Sequence, residues 1–130
     1  MIVKCVNKEN VLEQITVGKE YLVLEICFSE MRECISYRLI NNDGRPTIYN
    51  ASCFTVVSND LRDMVFDYYG DFCIITHKRF FDTAIGKDNV NGFWAHLFET
   101  DDLEALKLVE SVAHDINFDQ RIILPEIKLR

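Results

Sequence analysis

The fold is decided by Ile15-Thr16-Val17-Gly18-Lys19-Glu20-Tyr21-Leu22-Val23-Leu24-Glu25-Ile26, answered by Tyr37-Arg38-Leu39-Ile40-Asn41-Asn42-Asp43-Gly44-Arg45-Pro46-Thr47-Ile48-Tyr49. β-Branched and aromatic residues dominate both pieces, and such side chains pack well on a pleated surface. Asn41-Asn42-Asp43-Gly44 separates two strand candidates. It is a hairpin signal, because these residue types accept the left-handed backbone that a tight turn needs. A small, strongly bent antiparallel sheet is predicted, to which everything after residue 58 must attach. Within the strand Tyr21–Phe28, strict alternation puts Leu22, Leu24, Ile26 and Phe28 on one face. Tyr21, Val23, Glu25 and Cys27 fall on the other.

On the N-terminal side, Met1–Asn7 alternates weakly and suits an edge or closing strand. Lys8–Gln14 is a polar loop, with Val11, Leu12 and Ile15 tucked against the core, and Gly18 supplies a turn or bulge where the chain enters the sheet. Ser29–Cys34 is a charged loop before the strand Ile35–Ile40. Pro46 stands at a strand start, where no ladder donor is needed, and Thr47–Asn50 pairs back. Ala51–Phe54 reads as one helical turn capped by Asn50 or Ser52, and Thr55-Val56-Val57 as a last short strand.

A strand, a loop, two strands about a tight turn, one helical turn and a final strand is the order of an SH3-like barrel. The phrases Thr16–Glu25, Tyr37–Ile40 with Asp43-Gly44, and Tyr49–Val57 resemble small stand-alone bacterial SH3-like proteins. Some of these are similar to immunity proteins that accompany polymorphic or contact-dependent toxins. The resemblance covers about the first 57 residues. It implies the barrel and, through the immunity proteins, a role in neutralising a toxin.

Ser58-Asn59-Asp60 marks the junction to a different composition. Leu61–Val65 reads as a short helix or a loop. The run Phe72–Ile75 favours a strand through its β-branched content. Phe80, Phe81 and Ala84 lie at helical spacing within Lys78–Ile85, with Gly86 as a stop, and Asp88–Gly92 is a polar loop. Phe93–Phe98 leads into the clearest helix, 101–114, with Thr100 or Asp101 as its cap and an apolar stripe of Leu103, Leu106, Val109, Val112 and Ala113. After Asn117, Pro125 makes Arg121–Leu129 an edge strand or an extended wrap. The predicted class is therefore α+β, in two parts packed as one compact unit. Residues 1–57 form an N-terminal SH3-like antiparallel β-barrel, and residues 58–130 a C-terminal α+β extension with a hairpin plus one clear helix.

The 130 residues are 48% hydrophobic, ample for a packed core. No apolar run approaches the roughly 18 residues of a membrane span. Charges at Lys4 and Lys8 interrupt any leader core, so a cytoplasmic protein is expected. The five cysteines show no C-x-x-C pair, and free thiols in a reducing compartment are expected. His77, His96 and His114 match no ligand motif. No phosphate-cradling glycine loop is present. No catalytic group, cofactor or metal is expected, and Asn50-Ala51-Ser52 is a cap rather than a glycosylation site.

The net charge of −7 is uneven, with −1 on residues 1–57 and −6 on residues 58–130, where ten of the fifteen aromatics also lie. Phosphates would repel such a half, so nucleic acid is disfavoured and a basic protein partner is favoured. Asp67-Tyr68-Tyr69-Gly70-Asp71 can form an exposed acidic aromatic patch, or a hairpin whose tyrosines pack on the barrel. Trp94, the only tryptophan, suits core packing first and partner contact second. Glu99, Asp101, Asp102 and Glu104 stabilise a helix start and could also receive Lys or Arg from a partner. The predicted contact residues are Asp67, Tyr68, Tyr69, Asp71, Asp82, Asp88, Trp94, Glu99, Asp101 and Asp102. The expected partner is a cognate toxin protein, in particular a basic nuclease domain. The competing expectation is an adaptor that recognises a peptide through Tyr21, Tyr37 and Tyr49.

Overall fold

The computed structural model describes residues 1–7, 14–69, 72–84, 92–119 and 121–129. Seven strands come first: β1 (Ile2–Cys5), β2 (Glu20–Ser29), β3 (Cys34–Ile40), β4 (Pro46–Asn50), β5 (Phe54–Ser58), β6 (Met64–Tyr69) and β7 (Phe72–His77). A 3-10 turn, Ala51–Cys53, links β4 to β5. The helices α1 (Lys78–Phe81), α2 (Gly92–Thr100) and α3 (Leu103–Ile116) follow. The fold is α+β, with one antiparallel sheet in the order β4-β3-β2-β1-β5 and the β6–β7 hairpin joined to β2 through β7. Among the described residues no pairing joins β4 to β5, so the sheet path is open at its ends. None of the described helices is long and apolar enough to cross a membrane.

The ten-residue β2 is the spine. Its first half pairs with β1 (Ile2↔Leu22, Lys4↔Glu20), and its second half pairs with β7 (Glu25↔Thr76 to Ser29↔Phe72) along the same edge. The other edge carries β3. A strand serving three neighbours is apolar on both faces over Tyr21–Leu24, because each face has its own core. Tyr21 and Val23 join Val3, Cys5, Ile15, Leu39, Tyr49, Cys53 and Phe54 inside the bend of the sheet. Leu22 and Leu24 join Ile2, Ile40, Phe80, Trp94, Leu97, Val109 and Val112 between sheet and helices. That second cluster draws residues from both sides of position 57. β1 lies between β2 and β5, an interior strand of the sheet rather than an edge.

Two expectations beyond residue 58 need correction. Leu61–Val65 is neither helix nor loop throughout: a turn passes through Asp63 at φ 63° and Met64 opens β6. The helix expected over 101–114 runs from Leu103 to Ile116, and a separate helix, α2, precedes it. Asp101 takes φ 51° between them, and Asp102 caps α3 by accepting from Glu104 N (2.9 Å) and Ala105 N (3.4 Å). Of the expected stripe, Val109, Val112 and Ala113 are buried together with Ala105, whereas Leu103 in the first turn is 70% exposed. The tail is the extended wrap rather than a strand. Arg121 clamps Glu20, Lys128 N donates to Gly44 O (2.9 Å), and Ile127 is buried.

Candidate functional site

Strict alternation along β2 fails at one point, and that failure builds the site. The pairing with β3 shifts between Val23 and Glu25, a bulge that sets two residues against one. Leu24 and the following Glu25 therefore both face the helices: Leu24 packs in the helix-side core, and Glu25 receives the Trp94 indole N–H at 2.9 Å. Beyond the bulge the faces exchange. Ile26 packs toward the core inside the bend, while Cys27 and Ser29 look toward α2. The expected face of Leu22, Leu24, Ile26 and Phe28 is thus split in the middle.

On the helix side, register places Thr76, Glu25, Arg38 and Ile48 in one row across β7, β2, β3 and β4. Ile74, Cys27 and Ser36 make the next row. These rows floor a cleft of about 520 Å³ whose opposite wall is Phe80, Phe93, Trp94 and Phe98 from α1 and α2. A cavity of this size and apolar lining is typical of ligand pockets. α2 is positioned by its own aromatic packing, with Trp94 against Phe80 (5.1 Å), Phe93 (5.3 Å) and Phe98 (6.2 Å).

Glu25 is 4% exposed and Arg38 9%, so two opposite charges sit under the tryptophan. The carboxylate is well supplied: one oxygen accepts from Trp94, and the other from the Cys27 thiol at 3.2 Å. Burial, reinforced by that carboxylate, pushes the Cys27 thiol up to about 12, so it stays protonated. Arg38 is less well served. Its Nε stands 3.7 Å from Glu25, beyond hydrogen-bond length, and its guanidinium lies 4.5 Å over the Trp94 ring. Burial lowers its proton affinity and Glu25 opposes that, and an arginine in this balance remains a cation. Among the described residues, Arg38 Nε and Thr76 Oγ1 are buried without a hydrogen-bond partner.

The opposite face, across β6, β7, β2 and β3, carries exposed apolar side chains. Tyr68, Cys73, Phe28 and Ile35 form one cross-strand row, and Phe66, Ile75, Ile26 and Tyr37 the next. Phe66 is 57% exposed, Tyr68 65%, Phe28 38% and Ile35 45%. The Phe66 and Tyr68 rings meet edge to face at 4.9 Å. The Cys73 thiol opposite it, and to a lesser degree Glu30, holds the Tyr68 phenol above its usual range.

The predicted contact residues do not gather on one flank. Tyr68 lies on the open face, whereas Asp67 is its backbone neighbour on the other face, opposite Ile74. Tyr69 ends β6 across from Phe72. Trp94 is a wall of the cleft and 7% exposed. Asp82 is exposed at the end of α1, and Glu99 and Asp101 are exposed at the end of α2. Asp102 is occupied in the fold, as cap of α3 and partner of His96 (2.9 Å), and the hydrogen bond from His96 leads in holding its carboxyl below the usual range. Asp71 and Asp88 lie outside the described residues. The tyrosine groove of the adaptor expectation is absent: Tyr21 and Tyr49 are buried, and all three tyrosines edge onto Phe54. Among the described residues no group of three or more His, Cys, Asp or Glu could hold a metal ion.

Glu25, Arg38, Cys27 and Thr76 are the residues that reasoning from sequence passed over. A signal existed for two of them. Glu25 interrupts the apolar run of a central strand and Arg38 the strand answering it, and isolated opposite charges in adjacent strands pair more often than not when both are buried. No family model, curated protein or solved structure matches the chain.

Proposed function

We propose that this chain is an immunity protein, a binding protein that neutralises a cognate bacterial toxin domain by covering its active site, on an SH3-like scaffold. The scaffold reading is supported by the strand order β5-β1-β2-β3-β4 with a 3-10 turn between β4 and β5. The observation that carries the function is the apolar face of β6, β7, β2 and β3, on which Phe66, Tyr68, Phe28 and Ile35 are exposed. Monomeric proteins rarely leave such a face uncovered, and Tyr and Phe are enriched where a partner is buried. The occupant is a basic protein. The chain carries −7, and exposed Glu30 acts electrostatically on Tyr68, so charge steers the partner to the apolar face, which then supplies the contact.

The test is co-expression with a toxin domain encoded directly upstream, reading growth and affinity. Phe66→Ala with Tyr68→Ala should weaken binding by about thirtyfold or more, as for a central aromatic anchor, and restore toxicity. Glu30→Lys should slow association and flatten its salt dependence. Full protection by the double alanine variant would place the interface elsewhere, and the absence of protection by the native chain would end the immunity reading.

A second reading, an adaptor for an extended peptide, rests on one observation. Among the described residues β6 pairs only with β7, and an unpaired strand edge can take a peptide as an added strand. Affinity that survives the double alanine variant but is lost when Tyr68→Pro removes an amide of that edge would favour it.

A further inference from the structure

The cleft under α2 lies on the face opposite the proposed protein interface, and its chemistry is of a different kind. We propose that it is a binding site for a small organic carboxylate with an aromatic or branched apolar body. The acceptor is what the site lacks. Arg38 Nε and Thr76 Oγ1 are both buried, both line the cleft, and neither has a hydrogen-bond partner among the described residues. They flank Glu25 in one cross-strand row, yet neither makes a hydrogen bond to it. Its oxygens already accept from Trp94 and Cys27, and Arg38 Nε is 3.7 Å away.

A buried guanidinium ordinarily meets its counter-charge in a two-bond fork, and leaving such donors unmade is costly. The guanidinium of Arg38 instead lies 4.5 Å from the centre of the Trp94 ring, with its buried Nε–H unpaired. Charge points the same way. Among the described residues the cleft lining contains Arg32, Arg38 and one carboxylate, Glu25, a surplus of one positive charge in a chain whose net charge is −7. One anionic group makes the cleft neutral. The body of the ligand follows from the walls. Phe80, Phe93, Phe98, Ile48 and Ile74 offer apolar area and no donors, so the polar part of the ligand lies at the Arg38–Thr76 row and the remainder is hydrocarbon.

Trp94 is the only tryptophan and forms a wall of the cleft, so its fluorescence reports on this site alone. The full chain is titrated with phenylacetate, phenylacetamide and phenethylamine, three probes with one body and an anionic, a neutral and a cationic head. Phenylacetate should change the emission saturably and bind at least about tenfold more tightly than the amide, the difference expected for a charge-assisted fork. The amine should bind weakest. Arg38→Gln should abolish the preference for the carboxylate. Because that variant also strips Glu25 of its cation and can unfold, Thr76→Val is the second arm. It removes a hydroxyl with no partner, so a purely structural role predicts an equally stable protein with unchanged affinity. The ligand role predicts an equally stable protein with weaker phenylacetate binding. No saturable change with phenylacetate at millimolar concentration, equal binding of the amide, or unchanged affinity in Thr76→Val would overturn the proposal.

Discussion

Replacing Gly44 by alanine tests how the tail is held, and the chain supplies its own control. Gly44 has φ +83° and Gly18 φ +88°, so both sit in the left-handed region. Alanine there costs about 1–2 kcal/mol of backbone strain. Restricting the unfolded chain returns about 0.4–1 kcal/mol of it. Each substitution thus carries a backbone cost on the order of 1 kcal/mol. The surroundings differ. A Cβ at Gly18 meets nothing within 4 Å, whereas one at Gly44 overlaps the carbonyl oxygen of Glu126 and stands 2.9 Å from its carbonyl carbon. That obstacle is backbone and cannot swing aside. The tail must lift, losing the hydrogen bond from Lys128 N to Gly44 O and the burial of Ile127, which is 8% exposed. The bond is worth about 1 kcal/mol, and the side chain about 1.5–3 kcal/mol. Gly44→Ala should therefore cost about 3–5 kcal/mol, against about 1 kcal/mol for Gly18→Ala. Since a domain of this size holds roughly 5–15 kcal/mol in all, urea titration followed by far-ultraviolet circular dichroism separates the two easily. Equal midpoints for the two variants would refute the claim that the tail crosses the β3–β4 turn in contact.

Two further outcomes follow from single groups. His77 is 3% exposed, and burial pulls its imidazole below the ordinary value while its Nδ1 accepts from Arg79 N at the start of α1. The unfolded chain therefore binds the proton more readily, and stability falls as pH drops below about 6.5. His77→Asn keeps an acceptor at the cap but does not titrate there, so its stability between pH 7 and pH 5 should be flatter than the wild type in parallel denaturant series. Asp102→Ala should cost about 0.5–2 kcal/mol through the lost cap, while Asp102→Asn recovers most of it. If both variants lose equally, the ion pair with His96 rather than the cap is what matters.

How far the residues disclosed this architecture depends on whether the information was local. The strands of the first half were legible because each is a short run of β-branched and aromatic residues punctuated by Gly18, Asn41–Gly44 and Pro46. The α2 helix was not. Gly92–Thr100 opens on aromatics that suit strands equally well, and its capping partner at the far end is another helix. Asp101 separates them by adopting φ 51°, a conformation aspartate tolerates but does not announce. The site was hidden for a related reason. A bulge is an event between two strands, so nothing in Leu24-Glu25 alone tells that both side chains turn to one face. Once that turn is made the rest is forced. Glu25 reaches Trp94, 69 positions away, and Arg38 is drawn under the same ring. Thr76 enters their row only because β7 pairs with the second half of β2. Glu25 and Arg38 each break an apolar strand and so left a trace, whereas their meeting with Thr76 under Trp94 could not be foreseen, because it is a property of register. Register is therefore where a further test belongs. Deleting Leu24 should erase the bulge yet keep Glu25 opposite Arg38, so the indole emission should be retained while stability falls with the lost core side chain, and an emission shift in that variant would refute the register argument.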